Sequence, residues 1–159
     1  MQRFINTPIG VLTLRADERA LTAVEFGRAE AVPTAYSAKA AAIIEEAERQ
    51  LTEYFAGERR AFDFARLPIR LSGTEFTQKV GKAMLEIPFG EVRTYGEIAA
   101  AVGNRAAVRA VGGACHRNPI CIIVPCHRVV GAGRKLTGFG GGVDLKEKLL
   151  VHEGVHGYR

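Results

Sequence analysis

The chain has no tryptophan, two methionines and four histidines, and its first cysteine comes only at position 115. With no Cys, no His and no acid cluster, residues 1–70 carry no evident catalytic chemistry and read as scaffold. No apolar run is long enough to span a membrane, and the opening Met1–Pro8 has no hydrophobic stretch of signal-peptide length. An intracellular, cytoplasmic protein with reduced thiols is therefore expected. The odd count of three cysteines (Cys115, Cys121, Cys126) argues against a disulfide framework. Their C-x5-C-x4-C spacing lacks the paired short loops of a zinc site, so no metal and no cofactor is expected.

What is present is unevenly spread. The net charge is +5 over 159 residues, a length that can bury a real core as one domain or two small ones. Residues 1–73 carry ten basic and ten acidic side chains, whereas residues 74–159 carry twelve and seven. Between 92 and 142, seven basic groups face a single acid, Glu97. A neutral half joined to a basic half predicts a scaffold plus a surface for a polyanion, nucleic acid first among them.

In order, residues 3–14 and 20–26 read as two strands of a hairpin turning through 15–19, and 35–56 as a helix stopped by Gly57. Arg59–Phe64 reads as a further strand or an extended connection. A boundary at 70/71, near Pro68 and Gly73, separates this α/β unit (1–70) from a mostly helical one (71–159). Ser72 with Glu75 fits a capping box for a helix buried through Phe76, Val80, Ala83, Met84 and Ile87. Thr94 with Glu97 makes a second box, opening a short helix. After a tight turn at Gly103-Asn104, a third helix runs from about Ala106 to about Ala114, giving a helix-turn-helix pattern. Ala106, Ala110 and Gly113 leave one flank of that helix nearly bare. Such a surface suits sugar-phosphate walls more than base reading, with Arg109 as its one long side chain. Small residues that merely permit close helix packing would look the same.

Ile120–Val124 is five apolar residues in a row, read as a short buried strand ended by Pro125. It delivers Cys126 and His127, a thiol beside an imidazole. This is either a buried structural cysteine or an activated nucleophile. Twelve residues from Gly131 hold six glycines, a loop that is either floppy or built for close approach of a ligand. Asp144 with Glu147 is expected to cap the last helix. On it, Glu153 follows Leu145 and Leu149 at helical spacing and so falls on the core side. A carboxylate there needs a partner, and His127 is the economical one, giving a Cys126–His127–Glu153 relay.

Val-Pro-Cys-His-Arg-Val-Val (124–130), Arg-Ala-Val-Gly-Gly-Ala (109–114), Asn118-Pro119, Arg93–Ala99 and the tail 140–154 together resemble the O6-alkylguanine-DNA alkyltransferases. The likeness is strong over 74–155 and only topological before it. It implies a ribonuclease H-like small sheet plus helix, followed by a winged-helix-like helix-turn-helix domain that carries the active site. It implies irreversible transfer of an alkyl group from flipped-out O6-alkylguanine, with O4-alkylthymine left open, to Cys126, once per molecule. His127 and Glu153 would activate the thiol and Asn118 would brace the site. Tyr95 would help rotate the nucleotide out, Arg109 would fill the gap, and Phe139 and Gly140 would line the pocket. Thr94, Ala107, Ala110, Gly112 and Arg128 would lie along the minor groove of double-stranded DNA. The protein is expected to be a monomer, with cooperative binding along DNA left open.

This chain departs from that pattern at four places. Phe139 stands where a Tyr is common, Gly140 where a Ser or Arg is frequent, Gly81 where a Trp is customary, and Arg105 where a Pro is frequent. Zinc held by Cys and His in the first domain, known in some members, is not expected without cysteines there. A non-catalytic sensor of alkylated bases is the alternative; such relatives lack the acceptor cysteine that this chain keeps.

Overall fold

The computed structural model describes residues 1–137 and 142–158, which form two units: Met1–Arg70 with Pro119–Cys121, and Leu71–Asn118 with Ile122 onward. Phe139 and Gly140 lie outside the described residues.

In the first unit the expected hairpin is a three-stranded antiparallel sheet in the order β1 (Gln2–Thr7), β2 (Gly10–Ala16), β3 (Leu21–Phe26). The run read as one strand is split at Pro8-Ile9, since Thr7 pairs with Gly10 across a tight turn and Gly10 takes φ +111°. Helix α1 (Ala38–Phe55) starts at Ser37, whose hydroxyl accepts from Ala40 N, and buries Ala40, Ile44, Ala47, Leu51 and Tyr54 at helical spacing. Each large apolar side chain fully buried this way contributes roughly 1.5–3 kcal/mol. Arg59–Phe64 forms no strand. Its polar backbone is met instead by buried Gln50, which donates to Asp63 O (3.2 Å) and accepts from Asp63 N (2.8 Å).

In the second unit α2 (Glu75–Leu85) is capped by Thr74, not Ser72: the Thr74 hydroxyl accepts from Thr77 N at 3.2 Å. Gly81 is buried with Leu71 Cδ2 only 3.2 Å from where a Cβ would stand, so Leu71 occupies the space a larger residue would claim. The expected capping box of α3 (Tyr95–Ala101) is complete, with Thr94 N donating to Glu97 Oε1 and Glu97 N to Thr94 Oγ1. The turn to the next helix is longer than expected. It spans 102–107, with Gly103 at φ +82°, and α4 runs Val108–His116. Strands β4 (Arg93–Thr94) and β5 (Val129–Val130) pair in parallel. Helix α5 (Val143–His152) begins at Gly142 with no side-chain cap, and Asp144 sits in its first turn, where a negative charge suits the helix dipole. Leu150 of α5 packs with Val92, Val130 and Val155.

The apolar run 120–124 is not a strand. Only Ile120 makes a β-bridge, to Val24, after which the chain turns and Ile122 adopts φ +70°. A left-handed β-branched residue is a strained conformation that its surroundings must hold in place. The run is buried as a tight loop, and an uninterrupted apolar stretch does not by itself distinguish that from a strand.

Candidate active site

The loop that carries the cysteine is closed by two hydrogen bonds. Asn118 Nδ2 donates to Val124 O at 2.8 Å, and Cys126 N donates to the same carbonyl at 2.8 Å. Cys126 then opens a 3-10 turn, Cys126–Arg128, whose three side chains are all buried. Pro125 at the turn's entrance removes a backbone donor that would otherwise need a partner.

His127 is fully excluded from water, and its Nε2 lies 2.8 Å from Glu153 Oε2 at the C-terminal cap of α5. A carboxylate only accepts, so Nε2 carries the hydrogen and Nδ1 is the basic nitrogen. Nδ1 is buried and has no hydrogen-bond partner among the described residues. Burial pushes the His127 pKa below its ordinary value despite the opposing pull of Glu153, so the ring rests neutral at physiological pH. Burial alone would raise the Glu153 carboxyl. Hydrogen bonds from His127 and Arg128 overcome that and hold it well below the usual carboxylate range.

Arg128, expected on the DNA side, points inward instead. It is 6% exposed and binds Glu153 through Nε (2.7 Å) and Nη2 (2.9 Å). Two buried groups absent from the sequence-derived site join this cluster. Lys146 is wholly buried, donates to Val129 O (2.5 Å) and Thr137 O (3.2 Å), and lies 5.8 Å from the centre of the Tyr95 ring. Burial lowers its pKa, while the nearby Cys126 and Cys115 oppose that shift. Cys115, also buried, has its thiol pushed up to about 12, which keeps it protonated. Lys146 was findable: it lies three and four residues before Leu149 and Leu150 and seven before Glu153, on the same face of α5. A lysine in such a pattern reads as a solvated interruption until the structure shows it buried.

Tyr95, half-buried at the start of α3, is within electrostatic reach of both Cys115 and Cys126, and burial raises its pKa so that it stays a phenol. Asn118, Cys126, His127, Glu153 and Tyr95 thus belong to one region of the second unit. Arg109 and Ala110 do not touch it. They face solvent on α4, with Ala107 and Gly112 partly exposed along the same helix and Thr94 half-buried ahead of α3. A Cβ at Gly112 would meet nothing within 4 Å, so the face is open as well as smooth.

Residues 75–155 match the model of the 6-O-methylguanine DNA methyltransferase DNA-binding domain, and residues 1–69 match that family's ribonuclease-like domain. The chain belongs to this family. A methylated-DNA–protein-cysteine methyltransferase of Methanosarcina acetivorans is 50% identical over 152 residues, covering 94% of this chain and 95% of that one. One of Mycobacterium bovis is 47% identical and covers 95% and 90%. Among solved structures, the OGT of Mycobacterium tuberculosis in complex with DNA superposes with a TM-score of 0.84 at 47% identity, covering 96% of this chain and 92% of that chain. In this methyltransferase-family chain the exposed small-residue face of α4 and the buried Cys126 turn both fall inside the stretch matched to the DNA-binding model.

Proposed function

We propose that this protein repairs double-stranded DNA by moving the alkyl group of O6-alkylguanine to the sulfur of Cys126, one turnover per molecule. The observation that carries the reading is the buried pair of Glu153 with His127, the residue next to Cys126 in its turn, with Nδ1 of the imidazole left without a hydrogen-bond partner among the described residues. Minor-groove binding by α4 would use exposed Ala110 and partly exposed Ala107 and Gly112 for close approach, and Arg109 to fill the stack once the nucleotide has rotated out past Tyr95. Flipping is needed because a sulfur fixed in a buried turn cannot reach an oxygen inside a stacked duplex. Neither base edges nor sequence are read by such a face, so binding is largely sequence-independent and salt-sensitive.

The thiol proton passes through a bridging water to Nδ1 of His127, and Glu153 stabilises the imidazolium that forms. The thiolate attacks the alkyl carbon, a C–S bond forms, and the C–O bond breaks with its electron pair going to the guanine oxygen. The proton taken from the thiol returns to the purine, which leaves as ordinary guanine. The thioether has no labile bond to regenerate the thiol, which makes the reaction a single turnover. Lys146, buried beside the thiols, favours the thiolate, and protonated Cys115 does not compete. The same reading carries a cytoplasmic place of work, where thiols stay reduced, and a monomeric protein on DNA.

The test is incubation with a duplex containing one O6-methylguanine, followed by intact and peptide mass spectrometry. One methyl on the peptide bearing Cys126, absent from Cys115 and Cys121 and lost in Cys126→Ala, supports the reading. An unmodified protein that still binds the damaged duplex would replace it with a sensor of alkylated bases.

A further inference from the structure

Arg128 follows His127 directly, yet nothing in alkyl transfer itself calls for a guanidinium there. Its three donor nitrogens are all committed: Nε to Glu153 Oε1 at 2.7 Å, Nη2 to Glu153 Oε2 at 2.9 Å, and Nη1 to Ile87 O at 2.7 Å. The Phe89 ring lies 5.9 Å from its Cζ. A buried Arg–Glu pair is not a net source of stability, because desolvating both charges offsets their attraction. We infer that Arg128 is a positioning residue of the proton relay, fixing both oxygens of Glu153 so that the carboxylate orients His127 through Nε2 and leaves Nδ1 as the ring's acceptor. This rests on the transferase reading and deepens it.

The relay can accept a proton only if Glu153 is ionised while His127 is neutral. The charged groups facing the imidazole are Glu153 at the end of α5, Arg128 in its own turn, and Lys146 on α5. A lone buried carboxylate 2.8 Å away would draw a second proton onto the ring and block Nδ1. The guanidinium supplies the balancing charge. Because a neutral His127 gives Glu153 a hydrogen bond but no charge, Arg128 is a cation in direct contact that keeps the carboxylate ionised away from water. The planar fork satisfies both oxygens and still reaches Ile87 O, which a single ammonium cannot do in that geometry.

Imidazole nitrogen shifts of His127, followed by NMR in 15N-histidine-labelled protein, test this with wild type, Arg128→Met and Arg128→Lys. Wild type should stay in the neutral Nε2–H form down to pH values below an ordinary histidine's. In Arg128→Met the protonation midpoint should rise by about one pH unit or more, and the single-turnover rate should fall at neutral pH. Arg128→Lys, which keeps the charge and loses the fork, should fall between the two. If Arg128→Met does not fold, Arg128→Lys carries the test on the same readout. A folded variant of either kind whose His127 titrates as in wild type overturns the inference. The titration is read without any alkyl transfer, so failure of the transferase reading would show separately, as an unmodified wild-type Cys126.

Discussion

Glu153 Oε2 lies 2.8 Å from His127 Nε2, and both side chains are wholly excluded from water. A carboxylate so placed orients the imidazole and stabilises it once it is protonated. Glu153→Gln keeps the shape and removes the charge. Its single-turnover transfer rate should fall by roughly 10²-fold or more, the scale of a lost general base. Leaving Arg128 buried and unpaired should also cost about 3–5 kcal/mol, checked by urea unfolding beside Cys126→Ala, which should lose transfer while unfolding near the wild-type midpoint.

Acid should destabilise the fold through the same pair. The folded His127 has a lowered pKa, so below the unfolded histidine value of 6.5 the unfolded chain binds a proton that the native one refuses. Stability therefore falls as pH drops through that value, by up to about 1.4 kcal/mol per pH unit for one proton. The loss continues until the native ring itself is protonated. Glu153, whose pKa is also lowered, adds a second loss as pH falls below its unfolded value of 4.5. Denaturant unfolding across this range should show the first slope in wild type and a flatter one in His127→Gln.

Gly112 offers a test that separates DNA contact from folding. A methyl there meets nothing within 4 Å and glycine inside a helix is costly, so Gly112→Ala should raise stability by roughly 0.5–1 kcal/mol. If the face must approach sugar-phosphate closely, the same variant should bind duplex DNA more weakly. Equal or tighter binding by fluorescence anisotropy would count against α4 as the docking surface.

Asn118 closes the loop on which the acceptor stands. Asn118→Ala removes the donor to Val124 O, and loss of that hydrogen bond should cost about 1–3 kcal/mol. With the turn freed to move, the transfer rate should fall more than DNA affinity does. Single-turnover kinetics at saturating duplex read the first, and anisotropy the second.

Where chemistry had a local pattern, it was legible. The Thr94–Glu97 box, the helix over 38–55 and the pairing of Glu153 with His127 each followed from spacing plus one rule: caps accept from N3, apolar residues recur every third or fourth position, and a carboxylate on a core face needs a partner. Asp144 and Ser72 fit the same capping pattern and cap nothing, because a short motif is common and only backbone geometry selects the residue that uses it.

Sequence alone thus determined which residues could do the chemistry: a thiol, an imidazole, a core-facing acid and a bare, basic-flanked helix. The tertiary structure decided which charges are inside. Arg128 reads as a surface cation because isolated arginines stay in water. It is buried because Glu153, 25 residues away, and the Ile87 carbonyl, 41 residues away, converge on it. Lys146 is hidden in the same way by the carbonyls of Val129 and Thr137. Ile120–Val124 is a loop rather than a strand because Asn118 and Cys126 both tie back to Val124 O. Burying a charge or holding a strained turn depends on partners distant in the chain, and no local pattern encodes where those partners will meet.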